Sequence, residues 1–355
     1  MLATRIARAR AAAGLSLRDL AAKLGVSHTA IAKYERGELV PSSETLLALA
    51  RATGVKVEFF FRPDTVELGQ PEYRKRSRLS AKALARVEAE ILGQTERVFE
   101  LLGFFPEPPL PAFSVPDGLP TVAGLDDAEE VALALRAAWD LGENPIADLV
   151  ATLEERGVLV LTTPGDPEGR FDGLAARVAG MPLVVVGADW PGDRQRFTLA
   201  HELGHLVLSG RLHPGLDEER ACNRFAGAFL APRPSVHAEL GRNRRRLEAR
   251  ELQGLKHAYG LSMAAWAFRA RDTGVIEQGT FEVILRTFRA RGWHKQEPGD
   301  AVPPEHPSHF RRLVLRALAE DLIGEAKAAE LFGEPLAAFR GWRGFDEGDR
   351  AADGQ

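Results

Sequence analysis

The stretch Arg196–Gly210, RFTLAHELGHLVLSG, sets two histidines four residues apart with a glutamate directly after the first. On an α-helix, residues four apart lie on one face a turn apart, so His201 and His205 present their imidazoles to the same point. Phe197, Leu199, Leu203, Leu206 and Val207 make this helix mostly apolar. Its polar groups therefore sit on a largely buried element, where they need partners, and a metal ion supplies them. Zinc suits the pair because it accepts neutral imidazole and, with three protein ligands, keeps a fourth position for water. Manganese is also admissible, since affinity alone does not decide which metal such a site takes in a cell. Glu202 points off the histidine line, where it can reach such a water as a general base without being a ligand. The plainer reading is an amphipathic helix that happens to hold two histidines. It needs all three identities to coincide, roughly a one-in-a-hundred event at average residue usage.

A third ligand has to come from another element. The next helical pattern, DEERACNRFAGAFL, offers Glu218 and Glu219. If its buried face is Cys222, Phe225 and Phe229, the two glutamates fall on either side of that face, and periodicity does not choose between them. Acids in a first helical turn also suit the helix dipole with no metal at all.

Taken together, RFTLAHELGH and the following ERACNRFAGAFLAP resemble the ImmA/IrrE family of bacterial metallo-endopeptidases. The likeness runs over about residues 125–280 and includes LEERGVLVL and the strand-like segments at 174–187. It implies a zincin-like peptidase fold with Glu219 as the third ligand. It also implies that the protein substrate is a transcriptional repressor, cut at a specific site to release stress or mobile-element genes. The family's Leu-Leu-x-Pro reads Phe229-Leu230-Ala231-Pro232 here. No oxyanion stabiliser is identified, although Tyr259, His257 and His213 are candidates.

Upstream, LSLRDLAAKLGVSHTAIAKYERGE follows helix-turn-helix logic. Ser16 caps a first helix with Leu17, Leu20, Ala21 and Leu24 inward. Gly25 makes the turn, Ser27 caps the next helix, and Ile31 packs back. Over residues 1–60 this resembles the Xre-type repressor domain, which implies a double-stranded DNA operator as partner. Ser27, His28, Thr29 and Lys33 then face the major groove, where the N-terminal part of a recognition helix meets base edges. Lys33 and Arg36 also serve to hold phosphates. The charge agrees, since residues 1–62 carry ten Lys/Arg against five Asp/Glu in a chain whose formal net charge is −4.

The pattern divides as follows: 1–65, the helix-turn-helix domain; 66–120, a linker helix and connector; 121–280, the peptidase domain; 281–345, a helical C-terminal region; and 346–355, a disordered tail. A charged amphipathic helix is expected over 73–102, opening on the basic cluster YRKRSR, which can extend phosphate contact. FFPEPPLPAFSVPDGLP follows, and its six prolines mark a stiff extended linker. Asp126 or Asp127 is placed to cap a helix, Pro145 to open another, and Asp193 to cap the histidine helix. GVLVLTT and GLAARVAGMPLVVVGAD read as three strands, two of them joined around Gly180. The fold class expected is mainly α with a small sheet (α+β), all-α at the N-terminus.

The single cysteine, Cys222, excludes a disulfide framework and fits a reducing cytoplasm. The N-terminus lacks the apolar core of a secretory signal, and no apolar run has the length of a membrane span, so neither export nor a membrane partner is expected. A homodimer is compatible with this arrangement. The function expected is a DNA-binding regulator that also cuts a repressor. The alternative is a non-proteolytic transcription factor or antitoxin whose peptidase-like domain senses a metal or ligand. Retention of both histidines, Glu202 and Glu219 speaks against the second reading.

Overall fold

Ser16, Ser27 and Ser42 each turn a hydroxyl onto a backbone N–H three residues ahead, and each starts a helix. These are α2 (Leu17–Leu24), α3 (His28–Arg36) and α4 (Ser43–Thr53), preceded by α1 (Leu2–Ala12). They close over a core that includes Ile6, Leu20, Ile31, Leu49 and Phe60. In this computed structural model the described residues are 1–62, 80–164 and 171–344, so YRKRSR and the tail beyond 345 lie outside them. The chain divides into two compact units, residues 1–62, 80–111 and 307–344 in one and 112–164 and 171–306 in the other.

The first unit holds more than the helix-turn-helix. Helix α5 (Ala81–Leu102) brings Glu96 onto α1, where it pairs with Arg5 at 2.5 Å and Arg8 at 2.9 Å. Arg5 is only 1% exposed, and a buried guanidinium left unpaired is strongly destabilising, so α5 is tied to α1. Leu101 and Phe105 then pack with Leu313, Val314 and Phe339 of the C-terminal helices His309–Ala319 and Leu336–Gly344. Lys327 of the intervening helix, Glu325–Phe332, pairs with Glu100. Residues 81–102, expected as a linker helix, thus sit in the body of this unit, together with 309–344.

The second unit carries α6 (Leu125–Ala138), α7 (Leu149–Glu155) and a three-stranded sheet. Strands β1 (Leu159–Thr163), β2 (Gly173–Val178) and β3 (Met181–Gly187) lie in the order β1-β3-β2. β1 runs parallel to β3 with Leu161 opposite Val185, and β2 antiparallel to it with Ala175 opposite Val184. Helix α8 (Gly192–Leu208) packs on this sheet and against α9 (Glu218–Leu230), which also packs on α6. Then come α10 (Arg233–Leu240), α11 (Ala249–Tyr259), α12 (Met263–Asp272) and α13 (Gln278–Ala290). Among the described residues there are sixteen α-helices and three strands, the mainly α fold with a small sheet that the sequence predicts.

Two local expectations differ. The α7 helix starts after Asp148, whose carboxylate accepts from Ala151 N–H, and not at Pro145. The α8 helix starts at Gly192, and Asp193 pairs with Lys256 at 3.3 Å instead of capping it. Gly192 has no freedom to be anything else. Its N–H donates to Val302 O at 2.8 Å, and a Cβ there would lie 2.0 Å from Pro303 O.

Residues 293–306 run over this end of the unit as a strap. Glu297 accepts from Met263 and Ala264 N–H at the start of α12 and from Lys256 Nζ, all at 3.0 Å. Glu305 accepts from Leu149 and Val150 N–H at the start of α7 and pairs with Arg196 of α8. Deeper in, the fully buried Glu129 of α6 meets Arg269 through both oxygens, Arg224 at 3.0 Å and Arg233 at 3.3 Å. One carboxylate thereby joins α6, α9 and α12 with the first residue of α10.

Candidate functional site

Helix α8 buries Leu199, Leu203 and Val207 in the core and leaves His201 and His205 half-buried on the side that faces α9. Their Nε2 atoms stand 3.1 Å apart. Asp217 caps α9 by accepting from Arg220 N–H at 3.1 Å, which puts Glu218 and Glu219 in its first turn, where the helix dipole favours carboxylates. Gly204 lets the two helices come together at this level. A Cβ on it would lie 3.2 Å from Phe225 Cδ1 and 3.4 Å from Cys222 Cα.

The two glutamates divide between the two sides of the histidine pair. Glu219 stands with the facing nitrogens, 3.3 Å from His201 Nε2 and 3.6 Å from His205 Nε2. Glu218 stands behind, its Oε1 2.9 Å from His205 Nδ1. Behind His201, Asn223 places Oδ1 3.1 Å from Nδ1. A carboxylate only accepts, so with Glu218 ionised His205 Nδ1 carries the proton, and Asn223 Oδ1 asks the same of His201. In its neutral form each ring then presents a lone pair on Nε2. Two such lone pairs 3.1 Å apart, with a carboxylate beside them, make a cluster of acceptors that a cation completes. The donor set therefore fits a metal ion.

Among the described residues two groups have ligand atoms within 4.8 Å of one another: His201, His205 and Glu219, and His205, Glu218 and Cys222. The second uses the Nδ1 side of His205, where the buried Cys222 Sγ lies 3.4 Å away. With the Nδ1 proton held by Glu218, that group supports the ring from behind. Glu202 follows His201 on α8 and is half-buried. Of the oxyanion candidates, Tyr259 is 5% exposed, donates to Glu239 at 3.2 Å and packs edge-on against Trp266. His213 and His257 are exposed. None of the three lines the cleft beside the histidines.

That cleft has a volume of ≈ 790 Å³ and runs along the same α8–α9 face. Arg194 and Phe197 of α8, Arg220 and Asn223 of α9, Phe268 of α12 and Lys295 of the strap line it. Through Asn223 it adjoins His201. Neither the cleft nor the supporting roles of Asn223 and Glu218 are evident from spacing alone. For Asn223, the signal available was its place one turn after Glu219.

On the first unit, Ser27 caps α3 by accepting from Ala30 N–H at 3.1 Å, and Ser27, His28, Thr29, Lys33 and Arg36 are all exposed. Thr29, Lys33 and Arg36 share one face by their spacing. Arg36 forms an exposed ion pair with Glu38 at 2.5 Å, which holds the Glu38 carboxyl below its usual range.

The family comparisons agree with this division. Residues 6–60 match the helix-turn-helix family model, which covers α1 to α4. Residues 153–271 match the M78 peptidase family model, described as the IrrE N-terminal-like domain. The latter stretch contains the sheet, both histidines, Glu202, Glu218, Glu219 and Asn223, whereas the strap and the C-terminal helices lie beyond it. No curated protein matches the chain well enough to add to these. Among the described residues no helix is long and apolar enough to cross a membrane. The chain thus joins a DNA-binding helix-turn-helix domain to an IrrE N-terminal-like domain of the M78 peptidase family.

Proposed function

We propose that the chain is a cytoplasmic transcriptional regulator whose second unit is a zinc-dependent endopeptidase, and that it cleaves an Xre-type repressor in a stress or mobile-element response. The observation that carries this reading is the convergence of His201 Nε2, His205 Nε2 and the Glu219 carboxylate where α8 packs on α9. These three residues would hold Zn2+, with Mn2+ as a substitute. When bound, the ion supplies Lewis-acid polarisation and lowers the pKa of water in the site.

The chain's own residues do the rest. Asn223 and Glu218 hold the protons on His201 Nδ1 and His205 Nδ1, so both Nε2 lone pairs stay aimed into the site. The Glu202 carboxylate takes a proton from the attacking water as its oxygen bonds to the peptide carbonyl carbon. It then returns that proton to the amide nitrogen as the C–N bond breaks. On DNA, Ser27, His28 and Thr29 read base edges, while Lys33 and Arg36 hold phosphates. Arg36 exchanges its Glu38 partner for phosphate at little cost, because the pair is exposed. Coexpression of the chain with candidate Xre-type repressors tests the reading. A discrete repressor fragment seen by gel, lost on metal chelation, supports it, and intact repressor throughout refutes it.

A further inference from the structure

The cleft beside the histidines has a charge unlike that of the chain as a whole. Its lining contains seven Lys/Arg against four Asp/Glu, in a protein whose formal net charge is −4. Much of that charge is spent internally. Arg269 and Arg224 are held by Glu129, and Lys256 lies between Asp193 and Glu297. Arg271 sits over the Phe268 and Phe281 rings and pairs with Asp272. Arg220 and Lys295 differ. Both are exposed, they stand on different walls of the cleft, and among the described residues neither forms an ion pair. The acid in the same condition is Asp300.

The walls between these charges are aromatic. Phe268 is 43% exposed, large for a phenylalanine in a folded domain, and Phe197 and Trp293 are half-buried in the same lining. Arg194 lies over the Trp190 ring, 3.3 Å from its centroid. A cleft with cations on its walls and rings between them focuses a positive potential onto an apolar floor. Position places the cleft on the flank of the histidine pair, because Arg220 directly follows Glu219 and Asn223 on the cleft wall bonds to His201 Nδ1.

We infer that this cleft is a substrate subsite that takes an extended acidic segment of the protein substrate, its carboxylates on Arg220 and Lys295 and its apolar side chains on Phe268 and Phe197. An extended chain suits such a cleft because its side chains alternate between two faces, so that apolar ones can turn onto the rings while carboxylates turn toward the cations on the two walls. The inference rests on the peptidase reading for its meaning, but it is tested without turnover.

The test uses the full chain loaded with zinc and carrying Glu202→Gln. Binding of a labelled peptide of alternating Glu and Phe is compared with that of its counterpart in which every Glu is Gln. Fluorescence anisotropy at low and moderate salt reads both. The acidic peptide should bind on the order of tenfold more tightly than the neutral one and lose that advantage as salt rises. Arg220→Glu combined with Lys295→Glu should remove the advantage while metal content stays at the parent value. Phe268→Ala should weaken both peptides. Equal binding of the two peptides, or a charge-reversed variant that still prefers the acidic one, would overturn the assignment. So would a single-stranded oligonucleotide that displaces the peptide and depends on the same two cations. If the Glu202→Gln protein prefers the acidic peptide while the parent chain cuts no repressor, this subsite stands and the peptidase reading falls. If the parent cuts repressor and the variant shows no charge preference, the reverse holds.

Discussion

Gly204→Ala probes how closely α8 and α9 must approach. The added methyl would lie 3.2 Å from Phe225 Cδ1 and 3.4 Å from both Cys222 Cα and Cβ. Carbon pairs prefer about 3.5–4.0 Å, so α9 must retreat by a few tenths of an ångström. One of the three contacts is a backbone atom, and Cys222 Cβ moves with it, so a rotamer change cannot absorb the strain. Overpacking of this kind costs about 1–3 kcal/mol, offset by about 0.5–1 kcal/mol that alanine gains over glycine within a helix. The net loss of stability is then about 0–2.5 kcal/mol, and the fold survives. The metal should feel more. Glu219 rides on α9 and the histidines on α8, and metal–ligand distances tolerate about 0.2 Å. A shift larger than that should weaken zinc about tenfold or more. Chelator competition gives the affinity, and thermal unfolding with and without zinc gives the stability. If Gly204→Ala holds zinc as tightly as the parent, close helix approach does not set the ligand geometry and the reasoning fails.

Three further outcomes are expected. Glu219→Gln should lose zinc affinity at least about tenfold more than Glu218→Gln, because the amide at 218 still accepts from His205 Nδ1. The opposite order, read by the same competition, would make Glu218 the third ligand. His28→Ala with Thr29→Ala in the full chain should cost about 1–3 kcal/mol of specific DNA affinity and spare weak non-specific binding. An equal loss of both in gel-shift titrations would remove these residues from base readout. Glu129→Gln should lower stability by about 3–5 kcal/mol at neutral pH, since it leaves the buried Arg269 uncompensated. Burial alone would raise the Glu129 carboxyl, but Arg269, with Arg224 and Arg233, holds it below its usual value of 4.5. Its contribution is therefore complete above that value and is lost as pH falls through the lower folded one. Urea denaturation at several pH values should show less acid weakening in the variant than in the parent, and an unchanged slope would contradict this.

What the sequence made legible was local. Ser16 and Ser27 start helices because a side-chain oxygen meets a nearby backbone N–H, and that signature lies within four residues. The pairing of His201 with His205 is equally local. The β2–β3 hairpin around Gly180 was visible through its change of period. What stayed hidden depends on partners far along the chain. Asp193 looks like a helix cap by position, but Lys256, sixty-three residues later, takes it instead. The strap is held by Glu297 and Glu305, whose partners on α11, α12, α7 and α8 leave no periodic trace around residues 293–306. Likewise α5 reads as a free amphipathic helix until Glu96 is seen against Arg5 and Arg8. In the candidate site, spacing brought the histidines together but left Glu218 and Glu219 equivalent. Only the packing of α9 on α8 puts one beside both Nε2 atoms and the other behind His205.

The proposed peptide hydrolysis turns on Glu202 as its general base, and Glu202→Gln removes that base while leaving the three grouped ligands in place. The measurement is the rate at which this variant cuts the repressor, compared with the parent at equal zinc content. Glu202 is not among the grouped ligands, so the variant should keep its metal and its fold. The neutral amide cannot take a proton from the attacking water, so cleavage should fall by about 10²–10⁴. Cleavage at the parent rate with zinc intact would contradict the account.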